Sequence, residues 1–118
     1  MGYDLHVTRA EDWKLSSAHA ITVTEWQDQI TWDPDLRADT KNGPNSVVWA
    51  DAEGGVRGWF DWSGGAVYTT DPDQATVGKL LEIAERLSAR VQGDHGEFYE
   101  TMHDWSPGTS QPAQPPAN

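Results

Sequence analysis

Residues 3 to 8, YDLHVT, alternate apolar and polar side chains. Tyr3, Leu5 and Val7 fall on one face, and Asp4, His6 and Thr8 on the other, which is the period-two pattern of a half-buried strand. Ala10 to Ala20 is polar and mixed and reads as a loop with Trp13 and Leu15 tucked in. The period then changes in ITVTEWQDQITW, where Val23, Trp26 and Ile30 share one helical face. Thr22 and Glu25 have capping-box spacing, and Ile21 and Trp26 sit as a hydrophobic staple. Asp33 precedes Pro34, a position that avoids helical backbone, so the helix ends there. Residues 34 to 45 read as loop, with NGPN as a turn signal.

SVVWA (46 to 50) and VRGWFDW (56 to 62) read as strands joined by the acidic turn ADAEGG. Ser63-Gly64-Gly65 makes a tight hairpin turn, and AVYTT returns beside the second strand. A second helix is expected from DPDQ, with Asp71 as N-cap, Pro72 as first residue and Gln74 completing the box. Val77, Leu80, Leu81, Ala84, Leu87 and Val91 recur at helical spacing, and Gly93 can close the helix. GDHGEFYE reads as a turn into a short strand. SPGTSQPAQPPAN, from Ser106 onward, has no large apolar residue to repay ordering and is expected to be a disordered tail. The pattern predicts an α+β fold for residues 1 to 105: a mostly antiparallel sheet of four to five strands with two helices packed on one face.

Alternation within 56 to 62 places Val56, Gly58, Phe60 and Trp62 on one face, and Arg57, Trp59 and Asp61 on the other. The apolar set should meet the helices, which leaves Trp59 outside. Tyr68 joins it there only if the hairpin register allows. Trp59 is then either a binding anchor, as tryptophan often is at interfaces, or a surface lid stacked by Arg57. A one-residue bulge would turn it inward instead. Five carboxylates (Asp51, Glu53, Asp61, Asp71 and Asp73) lie between residues 51 and 73 against one arginine. Four of them fall in turns or at element ends, where they would rim the aromatic patch. They equally favour a turn at Asp51 and a helix start at Asp71 and Asp73.

The 118 residues suit one domain, and the net charge of −11 disfavours nucleic acid while favouring a basic partner. Seven tryptophans are more than one small core easily absorbs. The chain has no cysteine, which excludes disulfides, thiolate metal sites and cysteine nucleophiles. MGYDLHVTRAEDWK lacks the pattern of a signal peptide, and no apolar run suits a membrane span, so a soluble protein of the bacterial cytoplasm is expected.

No motif selects a catalytic group. Ser63 in WSGG is not a nucleophile elbow, and the glycines lie in hairpin turns rather than before a helix. Asp94, His95 and Glu97 cluster in GDHGE, and Glu100 and His103 have a two-ligand helical spacing. Neither is a sufficient metal signature by itself, so no catalytic, cofactor or metal residue is assigned.

The segments YDLHVTRAEDW, ITVTEW, the DPDL after it, the paired tryptophans of GWFDWSGG, and LSARVQGDHGE together resemble a group of small bacterial proteins. Those open with a YDLHITR-like strand, carry an EW helix and end in a GARVQGDDGE-like segment. The likeness covers most of residues 3 to 100. This chain departs from it at Ser88, in place of glycine, and at His95, in place of a second aspartate. The resemblance implies an immunity-like partner of a secreted toxin and supplies no catalytic residue. The expectation is therefore a non-enzymatic inhibitor of a cognate basic protein toxin. Trp59, Asp61 and Tyr68 would lie at the centre of the contact, with Asp51, Glu53, Asp71 and Asp73 around it. The alternatives are a small-ligand or metal-binding module or small enzyme using His6 and Asp94 to Glu97, and a protein that self-associates through its tryptophans.

Overall fold

The computed structural model describes residues 2 to 105, so the expected tail at 106 to 118 lies outside the described residues. Its strands are β1 (Asp4–Thr8), β2 (Leu36–Ala38), β3 (Val47–Ala50), β4 (Val56–Ser63), β5 (Ala66–Thr70), β6 (Arg90–Gly93) and β7 (Phe98–Tyr99). The helices are α1 (Val23–Trp32) and α2 (Gln74–Arg86), with 3-10 segments at Trp13–His19 and Met102–Asp104. All seven strands form one antiparallel sheet in the order β2-β3-β4-β5-β1-β6-β7. The α+β class agrees with the sequence pattern, but the sheet has seven strands rather than four to five.

The two additional strands are β2 and β6. Three residues of β2 are too few to show a period, and only their pairing with β3 defines them. Val91 of β6 was expected on the second helix because it follows Leu87 at helical spacing. The helix instead ends in a Schellman motif: Ala89 N–H donates to the Ala84 carbonyl, and Ser88 N–H to that of Glu85. Ser88 takes φ 54 there, and the chain turns back into the sheet before Gly93 is reached.

The α1 boundaries follow the sequence. Thr22 and Glu25 form the capping box in both directions, and Asp33 is the C-cap. The start of α2 is a correction: Asp73, not Asp71, caps it, accepting from Thr76 N–H at 2.8 Å. Asp71 is held by Tyr3, just before β1: its N–H donates to the Tyr3 carbonyl and its carboxylate accepts from Tyr3 N–H. Gln74 is not a box partner either; its amide donates to the Trp105 carbonyl.

Both α-helices cover the face that carries Leu5, Val7, Phe60, Val67 and Val91, and with Trp26, Val77, Leu80 and Ile83 these form one core. A buried ion pair, Lys79 Nζ to Asp33 Oδ2 at 2.7 Å, ties α2 to the end of α1. Gly58 lets α2 approach β4, since a Cβ there would meet the Thr76 side chain at 2.9 Å. Helical cover is not confined to one face. The segment expected to be a loop at 10 to 20 forms the first 3-10 turn, which stacks Trp13 on the opposite face. Leu15 is not tucked in; it is 59% exposed.

Candidate functional site

The face away from α1 and α2 is built by the other half of each alternation. On β4, Phe60 is buried while Trp59 is 40% exposed. Val56, expected inside, is exposed, because a register shift between Trp49 and Ala50 displaces the start of β4. Gly64 and Gly65 both take positive φ, which gives a two-residue turn with Ser63 opposite Ala66. That turn sets Asp61 opposite Tyr68, and β1 continues the row with His6. Tyr68 therefore stands outside with Trp59, their rings edge to face at 5.8 Å.

These side chains lie between two hollows. One, of about 340 Å³, is lined by Asp39, Asn42, Ser46, Trp59 and Asp61. The other, of about 320 Å³, is lined by Asp4, His6, Trp13, Lys14, Ser63 and Tyr68 among others. Burial, then the charges of Asp61 and Asp4, push the Tyr68 hydroxyl above the ordinary phenol range. Its hydroxyl stays protonated beside an indole and a carboxylate, and its oxygen can accept from a cationic side chain.

The remaining four acidic residues share one end of the sheet. Asp51 and Glu53 lie in the β3–β4 turn, and Asp71 and Asp73 follow the strand end beside it. Three of these carboxylates already serve the backbone. Asp51 accepts from Glu53 and Gly55 N–H groups, Asp71 from Tyr3, and Asp73 from Thr76. The Thr76 hydrogen bond chiefly holds Asp73 below its ordinary pKa. All four are exposed or half-exposed at this rim.

The residues of GDHGE part company in the fold. Glu97 Oε2 accepts from the Tyr3 hydroxyl at 2.5 Å and the Tyr99 hydroxyl at 2.7 Å, a structural clamp. His95 is exposed, its ring edge-on to Tyr3. Glu100 and His103 do not share a regular helix, since only Met102–Asp104 is helical there. Asp94 instead meets His6, with His6 Nε2 and Asp94 Oδ1 at 2.9 Å. Together with Asp4 they place three metal-type donor atoms within 4.8 Å of one another. Sequence reading named His6 and Asp94 but not Asp4, and it gave no role to Trp13, which stacks on His6 at 3.9 Å.

Protein-family models, curated proteins and solved structures give no match to this chain. Among the described residues no helix is long and apolar enough to cross a membrane.

Proposed function

We propose that this chain is an immunity-type protein. It binds a cognate protein toxin with a basic surface and neutralises it by covering it, without chemistry of its own. The observation that carries this reading is the grouping of Trp59, Tyr68 and Asp61 on the sheet face away from α1 and α2. An exposed tryptophan is a strong anchor once desolvated, and an adjacent tyrosine and carboxylate supply directed polar contacts. The net charge of −11 steers a basic partner toward this surface and repels nucleic acid. The rim carboxylates of Asp51, Glu53, Asp71 and Asp73 add to that field at one end of the sheet. The likeness to immunity-like bacterial proteins supports the same assignment.

The test compares the wild-type chain with the Trp59→Ala/Asp61→Ala double variant. Both are used as bait for the cognate toxin, and affinity is measured on the recovered protein. Loss of a central anchor typically costs at least about 2 kcal/mol, so the double variant should bind at least about 30-fold more weakly. Its melting temperature should stay near that of the wild type, because both side chains lie outside the core. Equal affinity in a folded double variant would move the interface elsewhere.

A further inference from the structure

We propose that Asp4, His6 and Asp94 form a binding site for one divalent transition-metal ion, at the edge of the hollow between β1 and the first 3-10 segment. The inference is independent of the docking surface and rests on different side chains.

The donors are an imidazole nitrogen and two carboxylates, with their ligand atoms within 4.8 Å of one another. His6 is the fixed member. It is 7% exposed, and its ring is stacked on the Trp13 indole with an interplanar angle of 4°. Its Nε2 faces Asp94 Oδ1 at 2.9 Å. The two carboxylates are oriented by groups behind them. Asp4 Oδ1 accepts from the Thr70 hydroxyl at 2.6 Å, and Asp94 Oδ2 accepts from Asp4 N–H at 2.9 Å. Trp13 Nε1 donates to the Asp94 carbonyl, so one indole positions both His6 and the turn that carries Asp94. Such outer contacts fix ligand direction in metal sites.

The charge balance points the same way. Two carboxylates converge on one buried imidazole; Lys14 also lines the hollow, but its ammonium lies over the Trp13 ring, and among the described residues no lysine or arginine forms an ion pair with either carboxylate. A cation placed between them satisfies all three groups. Zinc–ligand bonds of about 2.0–2.2 Å set neighbouring tetrahedral donors about 3.3–3.6 Å apart, so His6 Nε2 and Asp94 Oδ1, now at 2.9 Å, must part slightly to admit the ion. Asp4 and Asp94 are half-buried and can rotate to do so while His6 stays in place. Imidazole with carboxylates selects zinc, iron or nickel-type ions over magnesium. The adjoining hollow of about 320 Å³ leaves room for water to complete the coordination.

Calorimetric titration of the full chain with zinc chloride tests this, with magnesium chloride as the control. The expected result is saturable binding of one Zn²⁺ per chain, with no binding of Mg²⁺ at the same concentration. His6→Gln and Asp94→Asn should each weaken it at least about tenfold. Asp4→Asn, at the more exposed edge, provides the same test if the buried His6→Gln variant fails to fold. The His6 imidazole resonances should shift on titration, while those of His19 and His103 stay in place. Absence of saturable heat at millimolar Zn²⁺ would overturn the proposal. So would one-to-one binding that survives the folded variants, because the ion would then sit on the exposed histidines.

Discussion

Single residues show where backbone and side chain compete. Ser88 holds φ 54 at the close of α2. That conformation costs a residue with a Cβ about 1 kcal/mol and costs glycine nothing. Ser88→Gly should therefore raise stability by roughly 0.5–1 kcal/mol, and the melting temperature by about 2–8 °C for a domain of this size. Urea and thermal melts would check it. Asp71, at φ 47, should not behave alike. Its carboxylate accepts from Tyr3 N–H, so Asp71→Gly loses a bond as it relieves the backbone. The tyrosines give an alkaline prediction. Burial first, then the shared Glu97 carboxylate, push the Tyr3 and Tyr99 hydroxyls above the ordinary phenol range. Raised folded values mean stability that is intact below about pH 10 and lost as pH rises further. Tyrosinate absorbance should then appear together with the loss of near-ultraviolet circular dichroism. Ionisation of all three tyrosines near pH 10 with the fold intact would contradict this. Position 88 also shows what a period hides: Leu87 and Val91 keep helical spacing while belonging to a cap and a strand.

At the scale of elements, the contact between α1 and α2 depends on charge as well as apolar area. Asp33 and Lys79 are both buried, 46 residues apart in the chain. Burial alone would raise the Asp33 pKa; the Lys79 hydrogen bond, the Asp35 N–H and the nearby Arg86 outweigh it and hold it below the ordinary value. Lys79→Met strands a buried carboxylate and should cost about 3 kcal/mol, somewhat eased by Arg86 at 3.2 Å. A depressed carboxylate contributes stability above its unfolded pKa, and that contribution is lost as pH falls through the folded one. Glu25, lowered to about 2 chiefly by its hydrogen bond from Arg9, acts in the same direction. The urea midpoint should thus fall steadily from about pH 5 towards pH 2, and less steeply in Asp33→Asn. A midpoint that does not change across that window would contradict the roles of both groups. The strands with clear alternation, β1, β4 and β5, were legible from sequence, as was the capped start of α1. The 3-10 segment was not, because its order comes from partners outside it. Trp13 N–H donates to Gln92, and the Ser16 and Thr8 hydroxyls bond.

For the whole molecule, the proposed docking surface was half legible. Alternation alone put Trp59 and Asp61 on one outer face. Tyr68 could not be placed until the Gly64-Gly65 turn fixed the register, since a one-residue slip reverses every side chain. The Asp4, His6 and Asp94 cluster was not legible as a unit, because its members meet only when β1 pairs with β6, with His6 and Asp94 88 residues apart. Charge acts on this larger scale too. With a net charge of −11, association with a basic toxin should slow several-fold between low and physiological salt, with a smaller change in dissociation. The most direct test of the central claim is protection in living cells. The recovered toxin is expressed in a host with the wild-type chain, with the Trp59→Ala/Asp61→Ala variant, or alone. Growth should be restored by the wild-type chain only, with both chains present at equal levels. Equal protection by the double variant would contradict the assigned surface, and a partner whose expression harms no host would contradict the immunity role itself.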